Sequence, residues 1–330
     1  RVVWSAGHCT PLLHGILAMI YEIIRRQGLD IKQEELGVVL PQCLHRYGAT
    51  ECQVVKSGLD LPECLTRFRH CDGPTGHAEG HYALSDVSTG SSGHGFSSAL
   101  GLALLHKSCG LDTKVYVIAG DAETEEGMSY EARNLINTLG IDNLIVTLDY
   151  NGFGIDGPIT EVINSPYVNH WFSPGWNIIE VDGHNILELS YAYKKAFEGF
   201  GNGKSTVVIC HTIKGKYYGK LEGTADSHGT PAPHPEYAEI MKKIGFDIPG
   251  VEGDTMKDID VVTSQITKED ADYLLRQMET DKQKIKPEKE LLGKIEEALK
   301  GRPMVGYKKI KRPDVLPPEL VFKEGEKVAT

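Results

Sequence analysis

Long apolar runs, positive charge and paired cysteines are all scarce in this sequence. No apolar segment reaches the ~18 residues that a membrane-spanning helix needs, which argues against a membrane protein. Acidic and basic side chains are interspersed, and the formal net charge of −11 argues against nucleic acid or an anionic membrane surface as a partner. The seven cysteines are scattered without a CxxC pair, which predicts a reducing, cytoplasmic location. Cys9 directly follows His8, but no further ligands surround this pair, which argues against a zinc site.

Two polar residues, Asp121 and Asn151, each follow a predicted buried strand. The strands cover residues 114–119 (KVYVIA) and 143–149 (NLIVTLD), and an amphipathic helix is predicted between them at 126–139. In a parallel sheet, the carboxyl ends of neighbouring strands meet at the edge where ligands bind. A carboxylate and an amide oxygen at that edge suit Mg²⁺, which completes its octahedron with diphosphate and water. Asp and Asn are also common in ordinary turns, but their pairing across a strand–helix–strand unit favours a metal–diphosphate site.

The rest of the chain alternates helices with strands. Such alternation predicts an α/β fold, in which a doubly wound, mostly parallel sheet carries helices on both faces. Toward the end, the pattern changes to a charged helix at 270–279, with Thr267 and Asp270 as a capping pair. The other predicted helices cover residues 8–26, 93–107 and 186–200, and the other predicted strands cover 177–181 and 205–211.

A loop of serine and glycine precedes the predicted helix at 93–107. Peptide N–H groups at the start of a helix are unpaired and lie at the positive end of its dipole, so they can bind an anion such as a diphosphate. A run of this kind is more often a plain helix cap, but its position ahead of Asp121 in the chain favours the anion site. The candidate donors are Gly90, Ser91, Ser92 and Gly93.

These residues lie in segments that resemble the transketolase family. Residues 120–132 (GDAETEEGMSYEA) resemble that family's GDG-x-x-x-EG-x-x-x-EA run, and residues 151–157 (NGFGIDG) resemble its N-x-x-x-IDG turn. The spacing of the two segments resembles the thiamine-diphosphate signature. The resemblance extends from residue 1 to about 235, with further segments in the family's order: WSAGHCTP at 4–11, TGHAE at 75–79, STGSSGHG at 88–95, VDGH at 181–184, TIKG at 212–215 and DSHGTP at 226–231.

The resemblance implies a thiamine-diphosphate-binding fold, with thiamine diphosphate and Mg²⁺ as cofactors. It also implies transfer of a two-carbon ketol unit between sugar phosphates, in which histidines bind sugar hydroxyls and move protons. The implied metal ligands are Asp121, Asn151 and the Phe153 carbonyl. The implied cofactor-binding residues are Gly90, Ser91, Ser92, Gly120, Asp121, Ala122, Asn151 and Ile155, and the implied catalytic residues are His8, His77, His228 and Glu126.

The resemblance also predicts how the chain is organised. Residues 1–300 correspond to the family's diphosphate-binding domain, which has a further segment upstream, so we expect residues before Arg1. Residues 301–330 contain basic residues and prolines typical of a linker, and they lead toward a pyrimidine-binding domain that is absent from this sequence. Because that domain carries the family's activating glutamate, we expect this chain to be inactive alone. We expect it to work with a pyrimidine-domain half, in the same or a separate chain, as a homodimer or heterotetramer with Glu126 at the interface.

Four positions depart from the family's pattern. Ala122 replaces the second glycine of the GDG motif, and its methyl group would cost roughly 1 kcal/mol if φ is positive there. Ala225 replaces a histidine near the substrate, Ser92 a leucine that contacts the cofactor, and His94 a glutamine. These departures leave two alternatives: a decarboxylase like the first component of 2-oxo-acid dehydrogenases, which residues 123–127 (ETEEG) also resemble, and a catalytically degenerate binding subunit. The intact metal motif argues against the degenerate subunit.

Overall fold

The computed structural model describes residues 1–26, 68–69, 75–80, 84–164, 166–232, 234–250 and 255–300. The predicted linker at 301–330 lies outside the described residues. The chain divides into two compact units, Arg1–Lys284 and Ile285–Thr330. The first unit contains every strand described below, and the described part of the second is the end of the charged helix.

Five strands form a parallel sheet in the described part of the chain, in the order β1-β2-β3-β5-β4. Four of them lie where the sequence predicts strands. The exception is β1, because three residues are too few to produce a recognisable alternation pattern. The strands are β1 (Val2–Trp4), β2 (Val115–Gly120), β3 (Leu144–Tyr150), β4 (Asn177–Asp182) and β5 (Thr206–His211).

The predicted helices are confirmed, and the charged helix is longer than predicted. Its capping pair is also confirmed: the Thr267 N–H donates to the Asp270 carboxylate at 2.9 Å, and the Asp270 N–H donates to the Thr267 hydroxyl at 3.1 Å. No described helix is long and apolar enough to cross a membrane. The helices are α1 (Thr10–Arg26), α2 (His94–Ser108), α3 (Gly127–Thr138), α4 (Asn169–Phe172), α5 (Ile186–Glu198), α6 (His234–Lys243), α7 (Thr255–Thr263) and α8 (Lys268–Leu299).

Alternate side chains of the strands pack into two separate apolar layers. In β3, Val146 packs with buried side chains of α2 and α3, whereas its neighbour Ile145 packs with those of α5. In β5, Val207 packs in the layer of Val146, and Val208 packs in the layer of Ile145. Because successive side chains of a strand point to opposite faces, helices cover both faces of the sheet. The predicted α/β, doubly wound fold is therefore confirmed.

The carboxyl ends of three adjacent strands meet at one edge of the sheet. The strand register pairs Gly120 with Asp149, and Tyr150 with His211. The chain leaves β2 next to β3, since the Asp121 N–H donates to the Asp149 carbonyl at 3.2 Å. The turns that follow β2, β3 and β5 therefore begin side by side, and they carry the candidate site.

Candidate functional site

Asp121 and Asn151 lie on adjoining turns, as their strand-end positions predict. Asp121 directly follows β2 and begins the short 3₁₀ helix Ala122–Glu125. One carboxylate oxygen accepts a hydrogen bond from the next N–H of the chain at 2.8 Å, and the other accepts from the Gly152 N–H at 2.6 Å. The Asn151 amide oxygen accepts from the Phe153 N–H at 3.0 Å, which closes the second turn. The Asp121 carboxylate thereby fixes the turn after β3 against the end of β2.

The Asp121 carboxylate is buried and forms no salt bridge with the described residues. Only 1% of this residue is exposed, and none of the salt bridges among the described residues includes it. Burial raises the pKa of its carboxyl to about 6, although the hydrogen bonds from Gly152 and Ala122 act in the opposite direction. The neighbouring Asp149 carboxylate raises this pKa further. Such an environment favours a cation beside Asp121.

Lys214, in the turn after β5, places its ammonium on the carbonyl groups of the turn after β3. Its Nζ donates to the Phe153 carbonyl at 3.2 Å and to the Gly154 carbonyl at 2.9 Å. The Phe153 carbonyl, which the family resemblance implies as a metal ligand, therefore already binds a cationic group. Burial lowers the pKa of Lys214, and the Asp121 and Asp149 carboxylates oppose that shift.

Ala122 does not have the backbone strain that a positive φ would impose. It lies in the 3₁₀ helix Ala122–Glu125, and the described non-glycine residues with positive φ are Arg69, Leu84 and Tyr217. The methyl group packs against the main apolar core. The cost of roughly 1 kcal/mol that a positive φ would impose on Ala122 therefore does not arise.

The serine and glycine loop leaves three of its four peptide N–H groups unpaired within the described residues. Gly93 ends the loop with φ of 79°, and a Cβ at this position would lie 2.6 Å from the Ser129 hydroxyl, so both backbone and space require glycine. Gly90, Ser91 and Ser92 are exposed, and no hydrogen bond in the described chain uses their N–H groups. Gly93 cannot cap α2 with a side chain, and the Ser5 hydroxyl instead accepts from the Phe96 N–H in the first turn at 2.9 Å. The unpaired N–H groups of the loop are available to an anion.

Glu123 connects three segments of the site, and sequence analysis did not identify this role. Its Oε1 accepts from the Gly120 N–H at 2.7 Å. Its Oε2 accepts from the Ser5 hydroxyl at 2.5 Å and from the Gly93 N–H at 3.3 Å. The side chain is buried, and burial raises its pKa. Glu123 thereby sets the position of the Ser/Gly loop relative to the turn that carries Asp121.

The three histidines predicted as catalytic lie close together. The ring centroids of His8 and His228 are 4.8 Å apart, and the His77 ring lies against Gly7. Burial lowers the pKa of His8, and His228, His77 and Lys214 act in the same direction. Burial and then Lys214 lower the pKa of His228. The neutral form of both imidazoles is favoured, and a neutral ring has one donor and one acceptor nitrogen.

A cavity of about 360 Å³ lies at this edge of the sheet. It is lined by three of the predicted site residues, His8, Asn151 and His228. Imidazole, amide and ammonium groups can hydrogen-bond the oxygen atoms of a phosphorylated ligand. The other lining residues are Asp149, His184, Thr212, Ile213, Lys214, Gly215, Ser227 and Gly229.

Three polar residues of this cavity, Asp149, His184 and Lys214, received no functional role from the sequence. The Asp149 carboxylate accepts from the Asn151 amide at 2.9 Å and also from the Thr212 hydroxyl. His184 lies in the turn after β4, and its Nε2 accepts from the N–H of the residue before Lys214 at 2.9 Å. Asp149 lies at the end of β3, as Asp121 lies at the end of β2. This strand-end position could have identified Asp149 from the sequence.

Other predicted residues lie outside the cavity lining. Glu126 and Ile155 are exposed, the latter by 65%, so a ligand or a partner can reach them. His94 is an exposed residue at the start of α2. Ala225 begins the short 3₁₀ helix Ala225–Ser227. His228, three residues after Ala225, lines the described cavity, and His94 does not.

A sequence profile of the family described as "Transketolase, thiamine diphosphate binding domain" matches residues 52–297. The chain belongs to this family. The transketolase resemblance and the assignment of a thiamine-diphosphate-binding domain are therefore confirmed.

Relatives and solved structures of transketolases agree with this assignment. The chain is 39% identical over 145 residues to the 6-deoxy-6-sulfo-D-fructose transketolase subunit of Clostridium sp. (strain MSTE9), covering 43% of this chain and 52% of that protein. It is 32% identical over 169 residues to an apulose-4-phosphate transketolase subunit of Phocaeicola vulgatus, covering 51% of this chain and 59% of that protein. The crystal structure of transketolase from Campylobacter jejuni superposes with a TM-score of 0.62 at 25% identity, covering 89% of this chain and 41% of that one.

This transketolase-family chain thus spans between about two fifths and three fifths of these proteins. The part that it matches contains the diphosphate-binding domain, as the family description states.

Proposed function

We propose that this chain binds Mg²⁺ and thiamine diphosphate at the sheet edge formed by Asp121 and Asn151, and that it takes part in transketolase-type transfer of a two-carbon ketol unit between sugar phosphates. The observation that carries the proposal is a buried carboxylate that forms no salt bridge with the described residues and is fixed to the turn of an amide residue beside a polar cavity. Membership of the transketolase family supports the same conclusion.

The residues at this edge suit a hard cation. Asp121 offers a carboxylate, Asn151 an amide oxygen, and Phe153 a carbonyl that already accepts from the Lys214 ammonium. The described residues contain no cluster of three or more His, Cys, Asp or Glu that could hold a metal. An ion at this site would therefore take further oxygen ligands from diphosphate and water, which is how Mg²⁺ usually binds.

The diphosphate is assigned to the unpaired donors of the Ser/Gly loop, which Glu123 links to the end of β2. Gly90, Ser91 and Ser92 supply peptide N–H groups in the loop before α2. Gly120 and Ala122 flank Asp121, and the exposed Ile155 is assigned to pack on the cofactor. When bound, thiamine diphosphate supplies the nucleophilic carbon of ketol transfer.

The histidines are assigned to the sugar. His8 and His228 line the cavity as neighbouring imidazoles, and His77 lies beside them. Neutral imidazoles can hydrogen-bond sugar hydroxyls and transfer protons, and such catalysis contributes about 10²- to 10⁴-fold each. Glu126 is exposed, and its carboxylate is assigned to the interface with a partner.

A pyrimidine-domain half is the proposed partner. Two relatives are named as subunits, which supports a partner that is a separate chain. We assign residues 1–300 to the diphosphate-binding domain and 301–330 to the linker that follows it. The active assembly is then a homodimer or a heterotetramer, in which the partner supplies the activating glutamate. The cytoplasmic location remains a prediction from the use of cysteine.

An activity assay of the complete assembly tests the proposal. The chain and its pyrimidine half are mixed with Mg²⁺ and thiamine diphosphate, and ketol transfer is measured with xylulose 5-phosphate as donor and ribose 5-phosphate as acceptor. We expect turnover, and we expect His8→Ala and His228→Ala each to lower kcat/KM by about 10²-fold. The matched control is His211→Gln, since His211 ends β5 but pairs with Glu180 and does not line the cavity.

A parallel assay with pyruvate distinguishes the main alternative, a decarboxylase of the 2-oxo-acid dehydrogenase type. Turnover of pyruvate without transfer from any ketose would contradict the transketolase activity and leave the cofactor site intact. If neither the ketose nor pyruvate is turned over although the cofactor is bound, the result would support a catalytically degenerate subunit instead.

A further inference from the structure

The Lys214 ammonium has one more contact beyond the two carbonyl groups already described. Its Nζ lies 3.3 Å from Nδ1 of His228. An ammonium has three N–H donors and no acceptor. Here three acceptors surround it: the carbonyls of Phe153 and Gly154, and the His228 ring nitrogen.

This arrangement determines which nitrogen of His228 carries the proton. Because an ammonium can only donate, the facing Nδ1 must be an unprotonated acceptor, and the proton of the neutral ring lies on Nε2. We propose that Lys214 is a positioning residue that holds His228 as the Nε2–H tautomer.

This tautomer assigns a direction to the hydrogen bonding of His228. Its only ring acceptor is occupied by Lys214, so the ring has one free group, the Nε2–H donor. His228 therefore donates to a ligand oxygen in the cavity and does not act as the base that removes a proton. His8 retains its one acceptor nitrogen for that purpose, since no hydrogen bond to its ring is present among the described residues. The role toward a sugar ligand depends on the proposed function, but the tautomer itself does not.

A second histidine of the same cavity provides an internal reference. His184 Nε2 accepts from the Ile213 N–H at 2.9 Å. A peptide N–H can only donate, so neutral His184 carries its proton on Nδ1. The cavity thus combines two histidines of opposite tautomer, and both are set by consecutive residues of one turn.

NMR of the full chain with its partner half, labelled with ¹⁵N in histidine, tests the tautomers. Long-range ¹H–¹⁵N correlation spectra recorded at about pH 8, where imidazoles are neutral, identify the protonated nitrogen of each ring. We expect His228 as Nε2–H and His184 as Nδ1–H. In Lys214→Met we expect the ratio of Nε2–H to Nδ1–H in His228 to fall by about fivefold, which corresponds to the loss of one hydrogen bond.

The matched control is Lys216→Met, which removes the same charge from the same turn. Lys216 pairs with Glu222 and does not contact His228, so both tautomers are expected to stay unchanged. His228 found as Nδ1–H in the wild-type protein would overturn the proposal, whether or not the variants fold. An unchanged His228 ratio in Lys214→Met, with His184 still Nδ1–H, would also overturn it. Absence of ketol transfer alongside the expected tautomers would refute the proposed function only.

Discussion

Replacement of Glu123 by alanine should loosen the whole candidate site, because this side chain joins three of its segments. Its carboxylate accepts from Gly120 at the end of β2, from the Ser5 hydroxyl after β1 and from Gly93 at the start of α2. Without Glu123, two buried donors and one partly buried donor lose a charged acceptor. The segments that they belong to carry the predicted metal ligand and the predicted diphosphate donors.

The expected loss of stability follows from these contacts. Hydrogen bonds to a charged group contribute about 1.5–3 kcal/mol each, but removing the carboxylate also removes the cost of burying it. That burial cost is real here, since burial raises the pKa of Glu123. We therefore expect a net loss of about 3 kcal/mol. For a domain of this size the corresponding fall in Tm is roughly 6–12 °C.

Urea and thermal unfolding of the two variants Glu123→Ala and Glu125→Ala provide the test. Glu125 is a good control, since it lies in the same 3₁₀ helix and is only partly buried. Its carboxylate accepts no hydrogen bond from the described residues. We expect Glu125→Ala to change the free energy of unfolding by less than about 0.5 kcal/mol. Equal effects of the two substitutions would refute the role assigned to the Glu123 network.

Two further predictions concern pH and the Ser/Gly loop. The pKa of Asp121 is about 6 in the folded chain, against an ordinary value of 3.8. Protonation of this carboxyl therefore stabilises the folded chain fully below about pH 4. Up to about 3 kcal/mol of this stability is lost as the pH rises through 6. Mg²⁺ binds the ionised carboxylate, so the affinity of the protein for Mg²⁺ in the presence of thiamine diphosphate should fall about tenfold for each pH unit below 6. A Mg²⁺ affinity that calorimetry finds to be independent of pH would contradict this prediction. Gly93→Ala should destabilise the chain by about 2 kcal/mol in urea, since φ is 79° and the Cβ would meet Ser129. Its control, Gly127→Ala, has open space for a Cβ and should have almost no effect.

The fold was largely predictable from local pattern. Strands β2, β3 and β5 are short, β-branched and buried, and helices of clear amphipathic period lie between them, so their types and order could be identified from the sequence. Strand β1 was missed because it has three residues, and its place at the sheet edge depends on pairing with β2, more than a hundred residues away. The extent of α8 was underestimated, because the helix continues across Pro287, and a proline usually ends or kinks a helix.

The candidate site was only partly predictable. Asp121 and Asn151 could be identified because their strand-end positions depend on neighbouring elements of the chain. Glu123 and Lys214 could not, since their roles arise from contacts with segments that are distant in sequence. A glutamate in an acidic run or a lysine in a polar turn is normally a solvated surface residue. Only the approach of three turns at one edge of the sheet gives these side chains their partners.

The central claim, that Asp121 and Asn151 hold Mg²⁺ and thiamine diphosphate, is tested most directly by isothermal titration calorimetry of the complete assembly. Thiamine diphosphate is titrated into wild-type protein and into the Asp121→Ala/Asn151→Ala double variant, each with and without Mg²⁺. We predict Mg²⁺-dependent binding by the wild type and a loss of at least about 10²-fold in affinity, the equivalent of ~2.7 kcal/mol, in the double variant. Equal affinity of the two proteins would contradict the claim.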